Sequence, residues 1–183
     1  MTLTMDEVAF QPINGLTITK GGESFTFSTA GTYFYNNGGP GQVTFVQDPS
    51  ICCGSVFGGN PQFSVAFSVA VTSIQFGIAE NVVIPLTGAH VTLSNGDNLS
   101  FNLPLNDPYA EGQFTWSGSP VTGFELFAAP GASGLAFDNL AVSFAVPGPI
   151  VGAGLPGLIF ASGGLLGWWR RKRKAMAAGS SQS

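Results

Sequence analysis

"QFSVAFSVAVTSIQFGIAE", residues Gln62–Glu80, is the stretch that decides the fold. Its first half alternates apolar and small side chains, and the apolar ones are Phe63, Val65, Phe67, Val69 and Val71. A period of two is typical of a β-strand that buries one face. After Thr72-Ser73 the phase shifts to Ile74, Phe76 and Ile78, so a turn or bulge is predicted at that point to restore the apolar face.

The same period recurs on both sides of this stretch. "HVTLSNGDNLSFNL", His90–Leu103, predicts a hairpin with Asn95-Gly96 in its connection. Further short strands are predicted around Phe25 and Phe27, Val43 and Phe45, Phe114 and Trp116, Phe124 and Leu126, and Leu140, Val142 and Phe144. No stretch before Val146 shows a helical period. Roughly eight to ten short strands indicate an all-β domain over residues 1–145, an antiparallel, jelly-roll-like β-sandwich.

Charge is scarce and sharply divided along the chain. Charged residues make up 9% of 183 residues, and all ten acidic residues precede Val146. Of the six basic residues only Lys20 does, so the body has a net charge of −9 and the tail a net charge of +5. An acidic body has no basic patch with which to bind phosphates, so nucleic acid is not an expected partner.

The C-terminal stretch "VPGPIVGAGLPGLIFASGGLLGWWRRKRK", Val146–Lys174, has the pattern of a membrane segment. Residues 150–169 carry no ionisable side chain, and about 20 helical residues span a hydrocarbon core of about 30 Å. Trp168 and Trp169 suit the headgroup level. A stop-transfer cluster follows, formed by Arg170, Arg171, Lys172, Arg173 and Lys174. We therefore predict a single transmembrane helix over 150–169, a basic cytoplasmic tail over 170–183 and a body outside the cytoplasm.

This tail resembles the PEP-CTERM sorting signal, which exosortase enzymes of Gram-negative bacteria recognise and process. The resemblance rests on a Pro-x-Pro motif, an apolar span and a basic cluster, and the motif residues here are Val146, Pro147, Gly148 and Pro149. Gly148 stands where the name-giving form has Glu. The resemblance implies an inner-membrane precursor with its body in the periplasm, then a cell-surface or secreted protein associated with exopolysaccharide or biofilm. A stiff linker between domain and anchor is the alternative interpretation of residues 146–149.

Export of the body requires a signal that Met1–Gly22 does not supply, because this segment has neither a basic region nor an apolar run. Either the natural start lies upstream, or the chain is trimmed, or the protein is tail-anchored with a cytoplasmic body. The last arrangement would carry five basic residues across the membrane, which the positive-inside rule opposes.

Catalysis finds little support in the sequence. A nucleophilic triad would have to use the only histidine, His90, and no nucleophile-elbow motif is present. A glycosidase would need two carboxylates at one cleft, and nothing in the context of Glu80, Glu111 and Glu125 selects a pair. We expect a non-enzymatic protein, with a secreted carbohydrate-active hydrolase or an uncleaved membrane-anchored structural protein as alternatives.

The body also resembles the β-sandwich ectodomain that often precedes such tails, through the order "FSVAFSVAVTSIQFGIA", "GAHVTLSNGDNLSFNL", "GQFTWSGSPVTGFELFAA" and "GLAFDNLAV". Related jelly rolls often bind carbohydrate. In similar folds an acid on the last strand joins one near the first strand to hold a structural Ca²⁺, which implies Asp138 with Asp6 and Glu7. Strand alternation with Leu140 predicts that Asp138 points to the core side, where its charge needs a partner. Hydrogen bonding of Asp138-Asn139 to a neighbouring turn is the alternative.

Two further candidate sites are local. The adjacent Cys52 and Cys53 are the only cysteines, and we predict a vicinal disulfide over two free thiols, with intermolecular pairing also open. Tyr33, Tyr35 and Trp116 could offer flat apolar faces to a sugar ring, and ordinary strand core is the alternative.

Overall fold

The computed structural model describes residues 1–38, 43–54, 62–81, 86–106, 109–130, 132 and 134–145. The chain divides into two compact units, Met1–Ala145 and Val146–Ser183, and every described residue belongs to the first. The predicted sorting motif, transmembrane helix and basic tail therefore lie outside the described residues. Within those residues no helix has the length and apolarity that a membrane span requires.

The described body is all-β and antiparallel, as predicted, and it has the arrangement of a sandwich. Its strands are β1 (Thr2–Leu3), β2 (Gln11–Pro12), β3 (Thr17–Lys20), β4 (Glu23–Ser28), β5 (Phe34–Asn37), β6 (Ser50–Gly54), β7 (Phe63–Glu80), β8 (Leu86–Leu93), β9 (Asn98–Leu103), β10 (Leu105–Asn106), β11 (Tyr109–Phe127) and β12 (Leu135–Phe144).

Two long strands, β7 and β11, belong to both sheets. The first half of β7 pairs with β4 and the second half with β12. β11 pairs with β7 along most of its length, and its last residues also pair with β8. One sheet accordingly runs β3–β4–β7–β11–β8–β9, and the other runs β2–β5–β6–β12–β7–β11.

The opening stretch forms one continuous strand, and the predicted phase shift is real. Hydrogen-bonded pairing with both β11 and β12 is irregular next to Val71, where the register skips residues. Phe63, Val65 and Phe67 are buried before the shift, and Ile74, Phe76 and Ile78 after it. The exception is Val69, which is 38% exposed. An irregularity of this kind keeps apolar side chains inward while the strand bends from one sheet to the other.

The core between the sheets is dominated by phenylalanine. Phe76 stacks on Phe114 and Phe124 with ring centroids 4.9 and 5.4 Å apart. Phe137 packs against Phe76 at 4.7 Å and edge-on against Phe63 at 4.9 Å. Such contacts add to the burial of apolar area and join the strands that carry these rings into one core.

The predicted strand around Val43 and Phe45 is wrong. Residues 43–48, the covering loop, contain no strand and lie across the outer face of the second sheet. Val46 of this loop is buried with Cys52, Ala79 and Ala136 in a small cluster separate from the main core. The apolar residues of this loop thus pack on the back of a sheet, and alternation alone does not distinguish such packing from strand pairing.

Candidate functional site

Asp138 does not point to the core side, and this prediction is wrong. Asn139 adopts a left-handed backbone with φ of 55°, and the pairing of β12 with β7 skips between Asp138 and Ala141. Leu135 and Phe137 lie in the main core before this bulge, and Leu140 and Val142 after it. The extra residue places Asp138 on the outer face, beneath the covering loop. Asn tolerates the left-handed conformation that the bulge requires.

Two buried carboxylates hold the covering loop. The backbone N–H of Gln47 donates to Asp138 Oδ2 at 3.0 Å. Glu111 Oε1 accepts from the N–H of Thr44 at 3.2 Å, and its Oε2 accepts from the N–H of Phe45 at 3.1 Å. Because buried amide groups need partners, these carboxylates fix the loop on the sheet. The alternative interpretation of Asp138-Asn139, hydrogen bonding to a neighbouring turn, matches these contacts.

Glu7 lies in a different network at the edge of the body. Its Oε1 accepts from the Thr4 N–H at 2.9 Å and pairs with Lys20 Nζ at 2.8 Å, and Tyr35 donates its hydroxyl proton to Oε2. Burial opposes ionisation of Glu7, but the hydrogen bonds from Lys20, Tyr35 and Thr4 outweigh it and lower its pKa to about 2. Burial, with the nearby Glu7 charge, raises the pKa of Tyr35.

The implied calcium ligands are neighbours but do not form a ligand set. The pKa of Asp138 is raised to about 6, first by burial and then by the negative charges of Glu7 and Asp6, against hydrogen bonds from Gln47 and Asn139. Both oxygens of Glu7 and both of Asp138 already accept protein hydrogen bonds. In the described part of the chain no three His, Cys, Asp or Glu side chains are grouped so that they could hold a metal ion. The geometry gives no support to a calcium site, which stays a prediction.

Lys20 is the only Lys or Arg of the body, and its positive charge compensates the negative charge of Glu7. We expect Lys20→Met to lower the free energy of unfolding by about 1 kcal/mol at pH 7, because the pair is partly exposed. Since the folded pKa of Glu7 lies below 4.5, its contribution is present above pH 4.5 and is lost as the pH falls towards 2. Urea unfolding between pH 2 and 7 should show the two proteins converging at low pH, and a constant difference would contradict this origin.

The aromatic residues predicted to bind ligand are core residues. Tyr33 is 1% exposed and Tyr35 is fully buried, so neither offers a ring face to a sugar. Tyr33 donates its hydroxyl to Gln62 Oε1 at 3.0 Å. Trp116 is partly buried and packs against the core. The alternative interpretation of these residues as strand core is correct for both tyrosines.

The three candidate carboxylates of a hydrolase lie in different environments. Glu80 is fully buried at the end of β7, where burial raises its pKa to about 7 against a hydrogen bond from the Ala129 N–H. Glu111 binds the covering loop, and Glu125 is exposed on β11. The geometry brings no two of them together at one cleft.

The structure describes the side chain of one of the two adjacent cysteines, Cys52. Cys52 is not a free thiol, and it is buried in the small cluster beneath the covering loop. The side chain of Cys53 lies outside the described residues, so the vicinal pairing stays a prediction.

A polar surface that the sequence analysis missed covers the first sheet on its solvent side. We call it the hydroxyl face, and its hydroxyl members alternate with core residues: Thr17, Thr19, Ser24, Thr26, Ser28, Ser64, Ser68, Thr92 and Ser100. At its β3–β4 end the hydroxyls bond each other, as Thr17 to Thr26 and Thr19 to Ser24, both at 3.0 Å. The signal in the sequence was the run of small polar residues between the apolar ones, which also fits ordinary solvated strands.

A cleft of about 410 Å³ opens in the middle of the hydroxyl face, between β7, β11 and β8. Ser64, Thr92 and Glu125 line it, and in the described residues their side chains have no hydrogen-bonding partner. At one end Ser94 closes the cleft, accepting from the Thr122 N–H at 2.9 Å. Gly123 also lines it, and a Cβ there would lie 3.3 Å from Ala66 Cα and closer still to the Val65 carbonyl oxygen. Only glycine lets β11 and β7 approach this closely.

An aromatic pair stands beside the cleft. His90 and Phe127 face each other across β8 and β11, with ring centroids 4.3 Å apart and an interplanar angle of 9°. They lie two residues along the strands from the paired Thr92 and Glu125, on the same face and about 7 Å away. His90 is therefore a strand-face residue that stacks on an aromatic ring.

No protein-family model and no curated protein matches this sequence. Among solved structures it is similar to a Podospora anserina GH26-CBM35 β-(1,4)-mannanase, with 15% identity over 78% of this chain and a TM-score of 0.33. The chain spans 28% of the length of that mannanase chain. The CBM22-1 xylan-binding domain of Paenibacillus barcinonensis Xyn10C matches at 11% identity over 80% of this chain and 95% of its own, with a TM-score of 0.35. The mannan-binding module of Man5C matches at 10% identity over 80% and 99%, with a TM-score of 0.23. These likenesses are too distant to assign a ligand or an activity.

Proposed function

We propose that this protein is an exported, non-enzymatic β-sandwich that an exosortase-type system delivers to the bacterial surface or extracellular matrix. The observation that carries the proposal is the division of charge. Every acidic residue lies in the sandwich, and the following segment is an uncharged span closed by five consecutive basic residues. Such a cluster tends to stay on the cytoplasmic side, and this rule supports a sandwich on the other side of the inner membrane.

The composition of the body agrees with an extracellular role. Its described surface is supplied mainly by Ser, Thr, Asn and Gly, and its strands expose rows of hydroxyls instead of charges. In this role the body associates with exopolysaccharide. A secreted hydrolase is the less supported alternative, because the described cleft carries a single carboxylate, that of Glu125.

Export and processing can be tested in the source organism. We expect protease added to spheroplasts to digest the sandwich, and the released form to be lighter than the full chain by a C-terminal segment beginning near Pro149. Replacing Pro147 and Pro149 by Ala should leave the full-length chain in the inner membrane, because an extended, cleavable strip is lost. Pro130→Ala, an exposed proline of the sandwich, is the matched control and should be processed normally. A sandwich protected from protease would overturn the proposed topology, and normal processing of the double variant would overturn the role of the motif.

A further inference from the structure

We infer that the cleft in the hydroxyl face is a binding site for an uncharged saccharide chain, which crosses β7, β11 and β8 beside the His90–Phe127 pair. This inference rests on the proposed polysaccharide association and gives it a location and a ligand class. The site differs from the one that the sequence predicted, because Tyr33 and Tyr35 are in the core.

The cleft offers the hydrogen-bonding groups that a sugar requires. Ser64 and Thr92 each bring a hydroxyl that both donates and accepts, and Glu125 brings two acceptor oxygens. A sugar hydroxyl can donate to the carboxylate while it accepts from a neighbouring hydroxyl. These three side chains have no partner within the described residues, whereas hydroxyls at the β3–β4 end of the same face are bonded to each other. The polar groups of the cleft are thus available to a ligand.

The size of the cleft suits a short stretch of a saccharide polymer. About 410 Å³ lies at the lower end of the range for ligand pockets. The cleft is open to solvent, and its lining comes from three adjacent strands, β7, β11 and β8. An open cleft can admit an internal stretch of a polymer, which a closed pocket would forbid.

The charges around the cleft select against an acidic polysaccharide. Its lining contains one carboxylate and no cation, and the body as a whole has a net charge of −9. The only Lys or Arg of the body, Lys20, is engaged by Glu7 and by the Thr2 carbonyl oxygen at 2.7 Å. A uronate or sulfate group would meet Glu125 without a compensating positive charge, and like charges at close range reduce affinity.

The aromatic pair gives the cleft an apolar border. The rings of His90 and Phe127 stack on each other and stand on the sheet next to Thr92 and Glu125. A sugar ring has polar hydroxyl groups and apolar C–H groups, so a polar cleft next to aromatic rings matches both parts of it. His90 thereby contributes to this border through its ring.

The test uses the full chain in detergent and affinity gel electrophoresis. Gels contain the neutral polymers mannan, xylan or dextran, or the anionic polymers alginate or polygalacturonate. We expect at least one neutral polymer to retard the protein and neither anionic polymer to do so. In the variant with both Glu125→Ala and Thr92→Val, the dissociation constant should rise at least tenfold, because a charge-assisted and a neutral hydrogen bond are lost. Thr17→Val, which removes a hydroxyl of the same face outside the cleft, is the matched control and should bind as the parent does. Circular dichroism verifies that each variant is folded.

The possible outcomes distinguish binding at the cleft from polysaccharide association of the protein in general. If a neutral polymer retards parent and cleft variant equally, the site is wrong while polysaccharide association stands. Retardation by an anionic polymer overturns the inferred ligand class. If no polymer retards the parent, both the site and the proposed association fail, and the topology proposal is still judged by its own experiment.

Discussion

Gly77→Ala is expected to lower the free energy of unfolding by about 3–5 kcal/mol, because among the described glycines Gly77 has the closest backbone neighbour to an added Cβ. A Cβ at this position of β7 would lie 2.6 Å from the carbonyl carbon of Phe45 and closer still to its oxygen. Backbone atoms cannot yield as the end of a side chain can, so the covering loop must leave the sheet. Its departure removes the amide donors from Glu111 and Asp138, so both carboxylates lose these hydrogen bonds and the loop loses its packing on the sheet.

Chemical unfolding followed by circular dichroism measures this effect. Gly38→Ala is the matched control, because no heavy atom lies within 4 Å of the added Cβ, and its stability should change by less than about 0.5 kcal/mol. A double-mutant cycle identifies the mechanism. If Gly77→Ala acts by releasing the loop from Glu111, then Glu111→Gln should cost less in the Gly77→Ala variant than in the parent. Additive effects would refute a shared mechanism, and a stable Gly77→Ala protein would refute the packing of Phe45 on β7.

Glu80→Gln is expected to stabilise the protein by about 1–3 kcal/mol at pH 8. Glu80 is fully buried, and one of its oxygens, Oε2, has no hydrogen-bonding partner among the described residues. Burial raises its folded pKa to about 7, above the ordinary value of 4.5. The folded state therefore binds the proton more tightly than the unfolded chain does. The contribution of Glu80 to stability is greatest below pH 4.5 and falls as the pH rises through 7, by about 3 kcal/mol in total for a shift of this size.

The amide removes this titration while it keeps the shape of the side chain. In Glu80→Gln the side chain retains an oxygen that accepts from the Ala129 N–H, and the gain is reduced if its NH₂ group finds no acceptor. Unfolding measured from pH 4 to 9 should show a smaller decline above pH 5 in the variant than in the parent. Glu125→Gln, an exposed carboxylate on β11, is the control and should leave the decline unchanged. If the parent gained stability between pH 5 and 8, Glu80 would not be the buried acid described here.

Much of the strand pattern was predictable because period-two alternation is a local property. The phase shift after Thr72-Ser73, the hairpin around Asn95-Gly96 and the strands at Phe25, Phe114 and Leu140 all match the structure. The error at Val43 and Phe45 has a tertiary origin, because those residues cover the outer face of a sheet at Gly77. The merging of the Phe114 and Phe124 segments into one strand that serves both sheets also depends on long-range pairing.

The candidate sites were less predictable than the strands. Asp138 lies on the face opposite to the predicted one because a single left-handed residue, Asn139, shifts the alternation of β12. The sequence left Tyr33 and Tyr35 open to either a ligand surface or the strand core, and the structure places both rings in the core. The cleft residues Ser64, Thr92 and Glu125 come from three strands far apart in the chain, and only the register of β7, β11 and β8 brings them together.

The position of β12 determines when the sandwich can complete its folding. This strand lies between β7 on one side and β6 and β1 on the other, and Leu3 near the start of the body pairs with Leu140 near its end. Until residues 135–144 leave the ribosome, β1 has no partner strand among the described strands, β6 has only β5 and Phe137 is missing from the core. The body therefore completes folding only when the last stretch before the tail has emerged. Chaperones that hold the nascent chain open would act on a molecule whose first and last strands have yet to meet.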